Sequence, residues 1–332
     1  MHDKNYIDSY LNSLLTDDVP KNTKLMIANL NDNGKRAIVN YHDPHSAFHK
    51  HADIVINVHT FGESAERNTS LFHYTTMSSL NSILNSGYFR IKQANFMNDP
   101  DEFRWASKLA IKYLENCKAT SEEISSFKQM VENQPFYDAY IWSFSKNDDS
   151  ETLFHVYGGN EGIALELGEK DVMNMLATHN SHGKKSLDQF DLGDAYTFPL
   201  NVMYDAQKQE NYIEPLAQEW LDAYRGLKND PDDMKEILTL CSKNIALFNM
   251  AFKNPKLSHE EEFRFVSLRK NDGTVSPELE INGVPYINCE FISEYIQSVT
   301  ISPTCDKSEK EVRAIISKYK PGADVKKSTL PY

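Results

Sequence analysis

Apolar residues in this chain recur at two spacings, helical and alternating, and the two regimes are interleaved from end to end. Residues 6–15 form an amphipathic opening, and 54–58, Ile-Val-Ile-Asn-Val, reads as a strand. Residues 71–74 predict a short strand, after which Thr75 or Thr76 caps a helix with Met77, Leu80, Ile83 and Leu84 on one face. Gly87 ends that helix, and 88–91 predict a strand. Asn98-Asp-Pro100 predicts a helix start with the proline at its first position, and Phe103, Ala106, Leu109, Ala110, Tyr113 and Leu114 then turn inward. Thr120-x-x-Glu123 is a capping-box pattern. Strands over 137–145 and 162–167 flank a short helical passage through Phe154, and 198–204 predict another strand. Helices over 206–227 and 231–252 follow, the second started by Asp230-Pro231. Strands at 262–268, 286–291 and 299–302, a charged helix over 306–319 and a terminal strand complete the series. Short strands scattered among helices, without βαβ regularity, predict an α+β fold and argue against a doubly wound parallel sheet.

Composition narrows the field. Hydrophobic residues make up 40% of the 332 positions and aromatics 11%, enough for a packed core. A formal charge of −13 argues against indiscriminate binding to nucleic acid or to an anionic membrane. Cys117, Cys241, Cys289 and Cys305 lie far apart with no CxxC, a pattern of buried thiols in a reducing compartment. No basic-then-apolar leader opens the chain and no apolar run approaches ~18 residues, so the expectation is a soluble cytoplasmic protein with no membrane contact. The polar run 62–68 suggests a boundary between an N-terminal accessory region, 1–68, and one domain over 69–332.

Three segments place polar chemistry inside strand-like runs: Leu71-Phe-His-Tyr-Thr-Thr76, Ile141-Trp-Ser-Phe-Ser145 and Glu260-Glu-Glu-Phe-Arg-Phe265. His73 ends a strand before a capped helix, where a neutral imidazole can bond a ribose hydroxyl and the neighbouring backbone can hold a carboxamide. Ser143 and Ser145 alternate with Trp142 and Phe144, so both hydroxyls share one face, either a solvent face or a pocket floor. Glu260, Glu262 and Arg264 share parity if the strand begins at Glu260; such a charge run is either solvated surface or a pair of carboxylates suited to glycosidic cleavage. There one carboxylate stabilises a ribosyl cation and the other activates the attacking group. Tyr157-Gly-Gly159 is a tight turn or a ligand-approach loop, and lacks the Lys-Ser/Thr of a phosphate loop. His42, His45, His49 and His51 have no Cys partner and no HExxH, so no metal site is assigned.

His73-Tyr-Thr with Leu80-x-x-Ile83-x-x-x-Gly87 resembles the opening of ADP-ribosyltransferase-like domains. The wider series resembles the bacterial domain-of-unknown-function family 2971 over about residues 70–332. Its pieces are Phe96-Met-Asn-Asp-Pro100, Trp142-Ser-Phe-Ser145, Tyr157-Gly, Gly162-Ile-Ala-Leu-Glu-Leu167, Glu260-x-Glu-Phe-Arg264, Ile301-Ser-Pro303 and the closing Lys327-Ser-Thr-Leu-Pro-Tyr332. The resemblance implies an ADP-ribosyltransferase-like split antiparallel sheet core with surrounding helices, using NAD as co-substrate. Glu262 would be the catalytic carboxylate, assisted by Glu260 and His73. His73, Tyr74, Thr75, Asn98, Ser143, Ser145, Tyr157 and Arg264 would line the NAD pocket. The acceptor would be a protein, RNA or DNA, in a toxin or phage-defence setting, with 1–68 supplying any partner or antitoxin contact. An NAD glycohydrolase and a non-catalytic ligand-sensing or partner-binding module are the alternatives.

Overall fold

The computed structural model describes residues 4–62, 69–97, 99, 102–132, 137–181, 193–271 and 277–331. The chain opens with α1 (Lys4–Leu14), α2 (Lys21–Ala28), α3 (Asp32–His42), α4 (Ala47–Ala52) and α5 (Ile54–Gly62). Next come β1 (Ser70–Thr76), α6 (Met77–Ser86), β2 (Tyr88–Lys92), α7 (Trp105–Asn116), α8 (Ser121–Glu132) and β3 (Tyr137–Ser145). A short α9 (Glu151–Leu153) runs into a π-helical turn, Phe154–Gly158, and then come β4 (Gly162–Gly168), α10 (Glu169–Asn180) and β5 (Ala195–Asn201). The long helices α11 (Ala206–Gly226) and α12 (Pro231–Ala251) precede β6 (Glu262–Lys270), β7 (Leu279–Ile281), β8 (Val284–Glu290) and β9 (Ser298–Ile301). α13 (Glu309–Ile316) and β10 (Asp324–Lys327) follow.

Two compact units interleave in sequence. One comprises 1–60, 101–134 and 203–255, the other 61–100, 135–202 and 256–332. The division therefore differs from a simple cut at residue 68. The reason is the core: the N-terminal helices bury their apolar faces on α11, whose Ile213, Leu216, Ala217, Trp220 and Leu221 are buried.

In the helical unit α3 runs against α11 at unusually short range. A Cβ on Gly34 would lie 2.7 Å from the Gly226 carbonyl oxygen, and one on Gly226 would lie 2.0 Å from the Gly34 nitrogen. Along the same seam the Arg36 guanidinium donates twice to Asp222, at 2.8 and 3.0 Å, and Asn40 donates to Glu219 at 2.8 Å. The expected capping box at α8 is present. Glu123 accepts from the Thr120 backbone at 2.7 Å while its own N–H donates to Thr120 Oγ1. Arg225 also grips Glu123 at 2.6 and 2.8 Å, which pulls its carboxyl down to about 2. Residues 54–58 are helical, not a strand. Asp53 Oδ1 accepts from the Val55 and Ile56 backbones, and this start outweighs the β preference of the branched run.

The other unit is built on a seven-stranded sheet in the order β10-β9-β4-β1-β3-β6-β5 and a three-stranded sheet β2-β8-β7. The fold is α+β as expected. β10 pairs parallel to β9, so the large sheet is mixed and not wholly antiparallel. Its margins are β5, which contains Pro199, and β10, which contains Asp324, Lys326 and Lys327. One face of the large sheet buries Leu71, Trp142, Phe144, Leu165, Phe263 and Phe265; the opposite face carries a smaller cluster around Phe72, Tyr74, Leu153 and Phe154. β5 begins earlier than 198–204 because its register with β6 runs from Ala195 to Asn201. α13 is shorter than 306–319 because Ser308 and Glu311 close a capping box that fixes its start.

Candidate functional site

β1, β3 and β6 are neighbours in the large sheet, so the three segments singled out in the sequence lie on adjacent strands. Their register decides which side chains share a face, because residues directly opposite one another point the same way. Ser145 pairs with Glu262, Ser143 with Arg264, and Phe72 with Ser145. Ser143, Ser145, Glu262 and Arg264 therefore share one face with Phe72. His73, one residue further along β1, points to the other. Its ring lies 5.0 Å from Phe89, 5.6 Å from Phe144 and 6.4 Å from Trp142, within the aromatic layer.

The structure thus unites the serine strand with Glu262 and Arg264, and separates His73 from them. The expectation that His73 lines a common pocket with Glu262 is corrected by the two-residue period of β1. What His73 does instead is specific. Its Nδ1 lies 2.9 Å from the Ser143 carbonyl oxygen. A carbonyl only accepts, so Nδ1 carries the hydrogen and Nε2 is left as an acceptor. Burial depresses the imidazole's basicity and keeps it neutral. The bond also sits where β1 and β3 part: their register holds at Phe72↔Ser145, whereas β1 and β4 remain paired from Ser70 to Thr76.

Glu262 is 7% exposed and Arg264 is wholly buried. The guanidinium takes the carboxylate in a fork, Nε to Oε1 and Nη2 to Oε2, both at 2.8 Å. Arg264 is thus paired with a carboxylate of its own strand. Glu260 does not share the strand's alternation. It closes a 3-10 turn, Pro255–Glu260, and Glu261 is left-handed at φ 43°, which costs a non-glycine residue of order 1 kcal/mol. Ser145 braces this kink from β3: its hydroxyl donates to the Glu260 carbonyl at 2.7 Å and accepts from the Asn147 N–H at 3.0 Å. The Lys146 N–H donates to the Glu261 carbonyl at 3.0 Å.

The other expected residues divide. The Tyr74 hydroxyl donates to the Asn147 carbonyl at 2.8 Å and accepts from the Ser150 N–H at 3.0 Å, a structural tie from β1 to the 147–150 loop. Burial raises its pKa. Thr75 shares the His73 face opposite Ile163. Tyr157 is exposed on the π-helical turn, which packs against β1 and β4. Asn98 and Pro100 lie outside the described residues. Among the described residues no group of three or more His, Cys, Asp or Glu could hold a metal, and no helix is long and apolar enough to cross a membrane. Sequence reasoning missed Asn147 and Lys146, whose backbone groups anchor the kink; nothing in their residue types announces that role.

Residues 153–265 match the model of a family described as protein of unknown function (DUF2971). The match supports the family resemblance. It takes in Tyr157, Glu260, Glu262 and Arg264, and begins after His73, Ser143 and Ser145. No curated protein and no solved structure matches the chain.

Proposed function

We propose that this protein is an NAD-consuming ADP-ribosyltransferase acting on a macromolecular acceptor, with Glu262 as its catalytic carboxylate. The observation that carries the reading is the register of β3 on β6, which sets Ser145 opposite Glu262 and Ser143 opposite Arg264. An anion on that face suits glycosidic cleavage. As the bond to nicotinamide breaks, its electron pair leaves with nicotinamide and positive charge develops on the ribosyl carbon, where a fixed carboxylate lowers the barrier. The Arg264 fork fixes the direction in which the Glu262 carboxylate is presented. In this reading Glu260, outside the strand, orients the attacking group, and the Ser145 hydroxyl holds its backbone carbonyl. His73 enters as a clamp between β1 and β3, and the ribose contact assigned to it by resemblance does not fit the Glu262 face.

One observation favours a second reading, a non-catalytic ligand-binding module: both Glu262 oxygens are committed to a wholly buried arginine, as in a structural ion pair. Nicotinamide release from NAD, measured by chromatography, separates the two. The enzymatic reading expects release by the wild-type protein and at least ~100-fold less by Glu262→Gln with an unchanged circular dichroism spectrum. Wild-type protein that neither releases nicotinamide nor binds NAD calorimetrically overturns it. Labelled NAD then distinguishes transfer to protein or nucleic acid from transfer to water, the glycohydrolase outcome.

A further inference from the structure

Outside the candidate site, the most heavily buried acid of the helical unit is Glu219, at the middle of α11. Its side chain has no solvent exposure. Oε2 accepts the Asn40 amide at 2.8 Å, and Oε1 has no hydrogen-bond partner. The charges around it are already balanced. On α3, Arg36 spends its Nε and one Nη on Asp222, the residue one turn beyond Glu219 on α11. α12 presents the Cys241 thiol, whose hydrogen points to the Leu216 carbonyl at 3.5 Å, one turn before Glu219. α7 presents Tyr113 and Cys117, both on Gln218, and Gln218 in turn donates to Asp222. An ionised Glu219 would add a second negative charge beside Asp222, with one neutral amide bonded to it and the nearby Arg36 already engaged by Asp222.

We propose that Glu219 is held as a neutral carboxylic acid and acts as a pH-sensitive latch between α3 and α11. The proton resides on Oε1, and Oε2 keeps its carbonyl character toward Asn40. An unpartnered hydroxyl costs far less to bury than an unsolvated carboxylate. Burial and the neighbouring Asp222 both push the acid's pKa well up, with Asn40 and Arg36 opposing them. The latch opens when the proton passes to bulk water. The new charge must then be hydrated, and hydration requires α3 to lift off α11. The close Gly34–Gly226 contact makes this an opening of the whole seam, because backbone packed on backbone leaves no room for water to enter sideways.

Between the ordinary glutamate pKa and the raised native one, the closed state holds one proton more than the open state. Closure therefore weakens as pH rises, by up to about tenfold per pH unit. Amide hydrogen exchange of α3, corrected for intrinsic rates, reads this directly in the full-length protein. Wild-type protection factors are expected to fall with rising pH, approaching that slope, while Glu219→Gln, a neutral isostere, removes the fall. Parallel pH dependences in the two proteins overturn the proposal. Should the variant fold poorly, carboxyl carbon resonances of the wild-type protein labelled at glutamate decide alone. One resonance still protonated at neutral pH supports the latch, and a spectrum in which every glutamate has already titrated refutes it.

Discussion

Replacing Gly34 by alanine tests the α3–α11 seam most sharply, because two opposing effects can be weighed from the structure. Gly34 lies in the first turn of α3, where alanine gains ~1 kcal/mol of intrinsic helix preference over glycine. Against that, the new Cβ would stand 2.7 Å from the Gly226 carbonyl oxygen and 3.0 Å from its carbon. Ordinary contact needs about 0.5–1 Å more. The obstacle is backbone, so no rotamer can yield and the helices must separate. Such overpacking costs ~1–3 kcal/mol. Separation also stretches the Arg36–Asp222 fork and the Asn40–Glu219 bond, which cross the same seam. These two effects leave a net loss of ~0–2 kcal/mol for Gly34→Ala, which the stretched side-chain bonds move toward its upper end. Gly226→Ala should lose more, because its Cβ would meet Gly34 atoms at 2.0 and 2.2 Å. Urea unfolding followed by circular dichroism gives the midpoints, with an unchanged slope as the check that stability alone has moved. A Gly34→Ala protein as stable as wild type, or more so, would refute the seam.

Two further outcomes concern the ties around that seam and around β1. Glu123, lowered from 4.5 to about 2 by Arg225, stabilises the fold above the ordinary carboxylate range and loses that contribution as pH falls through about 4.5 toward 2. The loss should approach ~3 kcal/mol at most, and Glu123→Gln should unfold with a shallower acid dependence than wild type. Tyr74→Phe strands the Asn147 carbonyl and the Ser150 N–H, so a loss of ~1–3 kcal/mol in chemical denaturation is expected; no loss would remove Tyr74 from the architecture of the 147–150 loop.

Local punctuation made much of the fold readable. Thr76 and Gly87 bound α6 as their types require, the former accepting from the Ser79 N–H and the latter at φ 73°. Asp230 with Pro231, and Thr120 with Glu123, likewise mark real helix starts. The errors lie where tertiary partners decide. One exception is local: the four apolar residues among 54–58 look like a strand until Asp53 caps them. The interleaving of the two units cannot be read from any local window, since 1–60 find their core on helices more than a hundred residues away. In the candidate site the face shared by Ser143 and Ser145 was legible from alternation. The register that puts His73 on the reverse side was not, because a shift of one residue between β1 and β3 would have exchanged the faces. The left-handed Glu261 was equally hidden, since three consecutive glutamates give no turn signal.

Both margins of the seven-stranded sheet are blunted. At β5 a proline removes a backbone donor from the outermost strand, and at β10 lysines line a strand only four residues long. Both devices spoil a template that would otherwise recruit an extended segment from another molecule. Crowded chains should therefore resist polymerising through this sheet, leaving any lasting self-association to surfaces formed by side chains.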